Sequence, residues 1–288
     1  MRPFLFMPML TLALLAQDPA AERAKWHEGR IKRLQSEEGW LTLVGLHWLT
    51  EGENLIGTDP GAKVRFPEGL GPAKAGTLVL EGGKVRLKAE AGSPLTVNGA
   101  PAADMPLKMD ADGKPDVLGL AGRSFYVIRR GEKVGVRVKD PQSPVRTGFK
   151  GIDLYPYDPA YRVVATWEPF PEPREVKVPT VIGISETYKA YGRVHFKLKG
   201  KAVTLEPVDE GDGRLYFIFR DATSGKGTYP AGRFLYADAP KDGKVVIDFN
   251  LAYNPPCAFT RFATCPLPTP ANVLKVAVKA GEKDFGHH

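Results

Sequence analysis

The chain has 288 residues, of which 43% are hydrophobic and 25% charged, with a formal net charge of +7. That is enough apolar material for one large or two modest cored domains. Lys and Arg alternate with Asp and Glu along most of it, as from Arg129 to Asp140, so there is no basic stripe of the kind that marks a nucleic-acid surface, and nucleic acid is not an expected partner.

The first residues read as an address. Arg2 supplies a positive start, and Phe4 to Ala16 forms an apolar run of signal-peptide length, too short to span a bilayer. Ala16 followed by Gln17 is a plausible cleavage point, and no Cys follows to carry a lipid anchor. The expectation is a signal peptide over residues 1–16 and export to the periplasm or medium, with no membrane span later in the chain.

Asp18 to Glu38 is the one predicted helix. Ala20, Ala24, Ile31 and Leu34 recur at roughly helical spacing and Gly39 is placed to stop it; packing across one end of a sheet is its expected role. From Trp40 onward the pattern is that of strands, in keeping with 31 Gly and 26 Pro. Thr77 to Leu80 and Lys84 to Lys88 flank Gly82-Gly83, a hairpin signal, and Leu95 to Val97 follows. Ser124 to Arg129 and Val134 to Val138 form a second hairpin. In its second strand Val134, Val136 and Val138 alternate with Gly135 and Arg137, which predicts one buried and one exposed face. Trp40, Trp48 and Tyr126 are read as core.

A second block begins near Tyr161. Pro169, Pro171 and Pro173 predict an extended segment outside any sheet. Strands are then expected at Arg193 to Leu198, Ala202 to Glu206, Arg214 to Arg220, Gly232 to Ala237 and Lys244 to Phe249, with Val273 to Val278 as a closing strand. Such spacing predicts a sandwich or small barrel. The expected division is a leader at 1–16, a helix at 17–39, a first β unit at 40–150 and a second at 151–288.

Two resemblances emerge. Phe217-Ile218-Phe219-Arg220-Asp221-Ala222-Thr223-Ser224-Gly225, Thr228-Tyr229, Gly232-Arg233-Phe234-Leu235 and Asp248-Phe249-Asn250 lead into Ala252-Tyr253-Asn254-Pro255-Pro256-Cys257-Ala258-Phe259-Thr260 and Ala263-Thr264-Cys265-Pro266-Leu267-Pro268. With Leu46-His47-Trp48-Leu49, these resemble a prokaryotic family of unknown function, DUF1684, and the likeness implies no activity. Gly52 to Pro60, Val64 to Pro67, Gly76-Thr77-Leu78 and Val97-Asn98-Gly99 are similar in order to forkhead-associated (FHA) domains. Where that family grips phosphate with Arg and Ser, this chain has Thr58 after Gly57 and neither Ser nor His in Pro72 to Ala75. The second likeness therefore implies a β-sandwich scaffold rather than a phosphopeptide site.

Chemistry-bearing residues gather near the C-terminus. Cys257 and Cys265 are the only cysteines; in an exported protein a pair so close in one loop predicts a disulfide, adding about 2–3 kcal/mol. A metal site, or a cysteine nucleophile with a histidine base, would require His47 or His195 to be brought to them. Ser224-Gly225-Lys226-Gly227-Thr228 is not a phosphate loop, because Arg220 stands where the first glycine must be. The candidate binding residues are Asp221, Thr223, Tyr229, Arg233, Asp248, Asn250, Tyr253 and Asn254. They suit either a pocket for a small polar ligand or a buried network supporting an irregular loop.

The expected fold is mainly β: an FHA-like antiparallel sandwich, a second antiparallel sandwich or barrel unit, and one N-terminal helix. The expected function is a non-catalytic envelope module that binds a small polar ligand or a protein, with no cofactor or metal. The alternative is a hydrolase whose site lies in the Asp248–Cys257 loop.

Overall fold

A computed structural model describes residues 18–286, so the leader expected at 1–16 lies outside the described residues. The mainly β expectation holds. Two sheets enclose the first core. One orders Val64–Arg65, Gly52–Gly57, Gly76–Glu81, Lys84–Ala89 and Met105–Leu107; the other orders Leu43–Trp48, Lys133–Lys139, Arg123–Arg130, Leu118–Leu120, Thr96–Val97 and Ala100–Pro101. All pairs are antiparallel except Val64–Arg65 with Gly52–Gly57. The Gly82-Gly83 turn takes positive φ at both glycines (54° and 77°), a twist that suits a two-residue hairpin. Its register sets Leu78 opposite Leu87 and Leu80 opposite Val85. These side chains meet Phe125, Val127, Val134, Val136 and Val138 of the facing sheet in one apolar cluster.

The second block builds a four-stranded sheet ordered Lys201–Leu205, Ser185–Leu198, Arg162–Pro179 and Lys244–Asp248, and a two-stranded sheet of Leu215–Phe219 with Arg233–Ala237. There is no closed barrel among the described residues. The prolines do not end the sheet as predicted. Pairing runs through Pro169 opposite Gly192 and resumes at Arg174 opposite Ala190, so Pro171 and Pro173 fall in a bulge where no ladder N–H is required. The predicted closing strand is also corrected. Val273 forms one isolated bridge to Arg220, and the segment after it packs as irregular chain, with Leu274, Val276 and Val278 in the second core.

The helix spans Pro19–Gln35, with the Asp18 side chain accepting the Ala20 N–H at its start. Gly39 closes the turn at φ −69°, not in the left-handed region; a Cβ there would strike the carbonyl oxygens of Arg33 and Leu34. The N-terminal half of the helix lies beside the sheet end where Arg162 pairs with Asp248, with Glu22 and Trp26 next to them. In its C-terminal half Leu34 and Ile31 pack with Leu41, Phe149, Ile152, Ala258 and Phe259, against the cysteine-containing loop. That loop also runs beside the four-stranded sheet: Val181 N–H donates to the Cys265 carbonyl and Leu267 N–H to the Pro179 carbonyl. Thr260 Oγ1 reaches across to the Leu43 carbonyl at 2.9 Å. The loop thereby touches the helix, the first sandwich and the second sheet.

Candidate functional site

Most of the predicted site residues form a buried scaffold. Asp221 and Arg233 are each about 1% exposed and pair at 2.9 Å. Asp221 Oδ1 also accepts from the Thr223 N–H, the Thr223 hydroxyl and the Val278 N–H. Arg233 donates to the carbonyls of Val278, Ala280 and Glu282. Burial pulls the Arg233 guanidinium below its ordinary value, and the Asp221 carboxylate opposes that shift. Every charge is thus spent on holding the C-terminal segment.

Asn250 and Asn254 do similar work. Asn250 Nδ2 donates to the Asp158 carbonyl and to Asp248 Oδ1, while its Oδ1 accepts the Asp158 N–H. It sits in a 3₁₀ turn, Phe249–Leu251, just past the end of the Lys244–Asp248 strand. Asn254 N–H donates to Glu282 Oε2 and Nδ2 to the Lys283 carbonyl. Glu282 is in turn bound by Arg30 from the helix. Tyr229 gives its hydroxyl to the Cys257 carbonyl at 2.8 Å. Asp248 lines a cleft of about 400 Å³ with Arg162, Arg214 and Trp26.

The expected disulfide is not formed: both cysteines are free thiols. The Cys257 N–H donates to Cys265 Sγ at 3.1 Å, so the two meet through a hydrogen bond within the turn. Cys257 is pulled down chiefly by its side-chain hydrogen bond to Cys265, whereas burial drives Cys265 up. Neither expected histidine joins them. His195 bonds to Glu168 at 2.6 Å and Thr204 at 3.0 Å on the outer face of the sheet. Burial lowers His47, whose remaining influences come from Lys63.

Of the predicted residues Tyr253 and Cys265 line a second cleft, of about 490 Å³, which opens between the first sandwich and the second block. One wall comes from the outer face of the six-stranded sheet: Arg130 and Arg137, with Arg129 and Trp40 beside them. The face predicted to be exposed is covered. Arg137 is 5% exposed, and a Cβ at Gly135 would lie 2.7 Å from the Trp48 ring. Trp40, expected in the core, is half-buried at the cleft with the Arg137 guanidinium 5.0 Å over its ring.

The opposite wall is aromatic. Tyr216 and Tyr236 stack at 4.8 Å, and Tyr236 and Tyr253 continue near-parallel at 6.3 Å. Arg214 covers Tyr236 at 4.1 Å and Arg30 covers Tyr253 at 4.5 Å. The Tyr216 ring is buried, and its hydroxyl, which bonds to no other described residue, is open to the cleft. Burial raises the phenols of Tyr188, Tyr216, Tyr236 and Tyr253, so all four remain neutral. Tyr188 donates to Glu186 at 3.0 Å, and Tyr236 donates to Glu210 at the rim. Glu210 is open on its solvent side but desolvated towards the tyrosines, which raises its carboxyl pKa.

Thr264 joins the walls, its Oγ1 accepting from Arg137 Nη2 at 2.9 Å and Arg130 Nε at 3.1 Å. Residue spacing gave no signal for these contacts, because each arginine occupies an outward position in an otherwise ordinary amphipathic strand.

The family model described as "Protein of unknown function (DUF1684)" matches residues 147–283. An uncharacterized protein of Haloarcula marismortui, solved by NMR in solution, is 34% identical over 49% of this chain and 81% of its own, with a TM-score of 0.42. Two FHA-domain structures are 26% and 25% identical over 34% and 33% of this chain and 96% and 97% of theirs, each with a TM-score of 0.23. The first comes from work on phosphothreonine-dependent FHA domain interactions, the second from a complex with an intracellular domain of another protein. No curated protein matches this chain.

If Asp221 serves the scaffold, Asp221→Asn leaves the Arg233 guanidinium buried without its counter-charge and costs about 3–5 kcal/mol, read as a lower urea midpoint. Glu168, held by Arg193 and His195, is lowered to about 2 from 4.5. Its folded pKa is depressed, so its stabilisation is complete above 4.5 and is lost as pH falls towards 2. The Tm advantage of the natural chain over Glu168→Gln is therefore expected to be small, because the group is exposed, and to vanish across that interval.

Proposed function

We propose that this chain, which belongs to the DUF1684 family of unknown function, is an exported, non-catalytic module that binds a small polar ligand in the tyrosine-walled cleft. The observation that carries this reading is the aromatic wall of Tyr216, Tyr236 and Tyr253, near-parallel rings that face a cleft of about 490 Å³. The Tyr216 hydroxyl bonds to no other described residue and is open to the cleft, so it is free to bond a ligand there. The neighbouring phenols and Glu186 and Glu210 add donors and acceptors around an apolar stack, the mixture expected of a site for a molecule with both a ring and polar groups. Asp248, Asn250 and Cys257 support the hydrolase alternative less well, since the polar groups of Asn250 are engaged and Cys257 contacts Cys265 and Tyr229 rather than a base.

Export rests on the sequence alone, on Arg2 and the apolar run from Phe4 to Ala16. In a secreting host, the intact mass of the product is expected to start at Gln17 and to gain two labels when alkylated denatured without reductant. A full-length product would remove export, and an unlabelled one would mean that Cys257 and Cys265 become bridged in that compartment.

Ligand-observed NMR against small sugars, amino acids and aromatic acids tests the cleft. Hits should compete with one another, and Tyr216→Phe should weaken them by about two- to tenfold with Tm unchanged. Unaltered affinity in both Tyr216→Phe and Tyr253→Ala would place binding elsewhere.

A further inference from the structure

The arginine wall of the cleft specifies what the ligand must carry. Arg137 is 5% exposed and forms no ion pair with any carboxylate among the described residues. Its Nε is buried without a hydrogen-bond partner, and its contacts are to neutral groups, the Thr264 hydroxyl and the Trp40 ring. A guanidinium keeps its charge at any pH a protein meets, and a buried charge without a counter-charge is among the costliest groups to retain. Arg233, whose Nε is likewise buried without a partner, differs in the decisive respect: Asp221 supplies its counter-charge and three carbonyls surround it.

The neighbours do not supply the missing compensation. Arg130 adds a second guanidinium to the same Thr264 oxygen, and its own charge is met by Asp110 at 2.7 Å and Glu186 at 3.8 Å. Glu210, at the far rim, is engaged by the Tyr236 hydroxyl. Arg129 also borders the cleft, but its guanidinium is turned to the Gly83 carbonyl, so the cation facing the tyrosine wall without a counter-charge is Arg137.

From this geometry we infer that the cleft recognises a ring-bearing oxyanion, a carboxylate or a phosphate ester, whose charged oxygens dock on the Nε edge of Arg137 while its ring lies toward Tyr216, Tyr236 and Tyr253. This inference rests on the cleft being the binding site. A planar guanidinium edge matches two anionic oxygens, and such charge-assisted bonds are about twice as strong as neutral ones. The anion would also complete the hydrogen bonding of a buried Nε–H that the protein leaves unmet.

Benzoate, phenyl phosphate and the uncharged isostere benzamide, each titrated into the mature chain, separate the possibilities. Arginine side-chain NMR would follow the Arg137 Nε–H, assigned by its disappearance in Arg137→Lys. The expected result is that benzoate or phenyl phosphate moves this resonance while benzamide does not, and that Arg137→Gln weakens the anion by about tenfold or more, to the level of benzamide. The stronger of the two anions identifies the headgroup. The wild-type resonance alone carries the test if the Gln variant fails to fold. Equal binding of all three probes with the Arg137 resonance unmoved would overturn the anion inference and leave the cleft reading standing. Binding of none of the three, with competing hits from the wider screen also absent, would sink both.

Discussion

The pairing of Arg233 with Asp221 is the constraint on which the rest of the C-terminal half depends. Both side chains are sealed from solvent, and the pair holds because the carboxylate and the two terminal guanidinium nitrogens are met by backbone and side-chain partners. Asp221 collects Thr223 and the Val278 N–H; Arg233 collects the carbonyls of Val278, Ala280 and Glu282. An irregular segment that cannot satisfy its backbone through a sheet ladder is thereby fixed in place. Its far end presents Glu282, which binds Arg30 from the helix and the backbone N–H of Asn254. One buried ion pair thus sets the position of the C-terminal segment, and through it the helix and the proline-rich loop.

That loop converts scaffold into site. Asn254 anchors its start, Tyr229 holds the Cys257 carbonyl, and Thr260 reaches the first strand of the sandwich. Its two cysteines contribute as packed, hydrogen-bonded thiols, which suits a turn already crossed by backbone bonds to Pro179 and Val181. Thr264 then lies where one hydroxyl oxygen can accept from both Arg130 and Arg137. The cleft is a consequence of this order of dependence: buried charge, then loop, then the arginine edge.

How much of this is legible in the sequence depends on the range of the interaction. The Gly82-Gly83 hairpin and the valine alternation of residues 134–138 follow from local rules, and the strands are found close to their expected limits. The ion pair between Asp221 and Arg233 was foreseeable too, since both flank one loop. Pro169 to Pro173 misled because a bulge opposite Gly192 and Ala190 tolerates prolines that a continuous ladder would not. The outer face of Lys133–Lys139 misled for a deeper reason. Alternation tells which side chains face the sandwich core, but it is silent on whether a second layer covers the other face. Arg137, Trp40 and Tyr216 became site residues only through that second layer, and their spacing in the chain carries no trace of it.

The match to the DUF1684 model begins at residue 147, whereas Trp40, Arg129, Arg130 and Arg137 all precede it. The tyrosine wall, Thr264 and the supporting ion pair therefore belong to the matched span, and the cationic wall is supplied from outside it. Such a division separates two physical tasks. A stacked aromatic surface gives general affinity for rings without regard to charge, while a guanidinium placed opposite selects among them by charge. In this chain the selecting group stands on the rigid strand of a sandwich whose own core is complete without it. Its strand is paired on both sides, to Leu43–Trp48 and to Arg123–Arg130, so the anion edge is held before any ligand arrives, and little ordering remains to be done on binding.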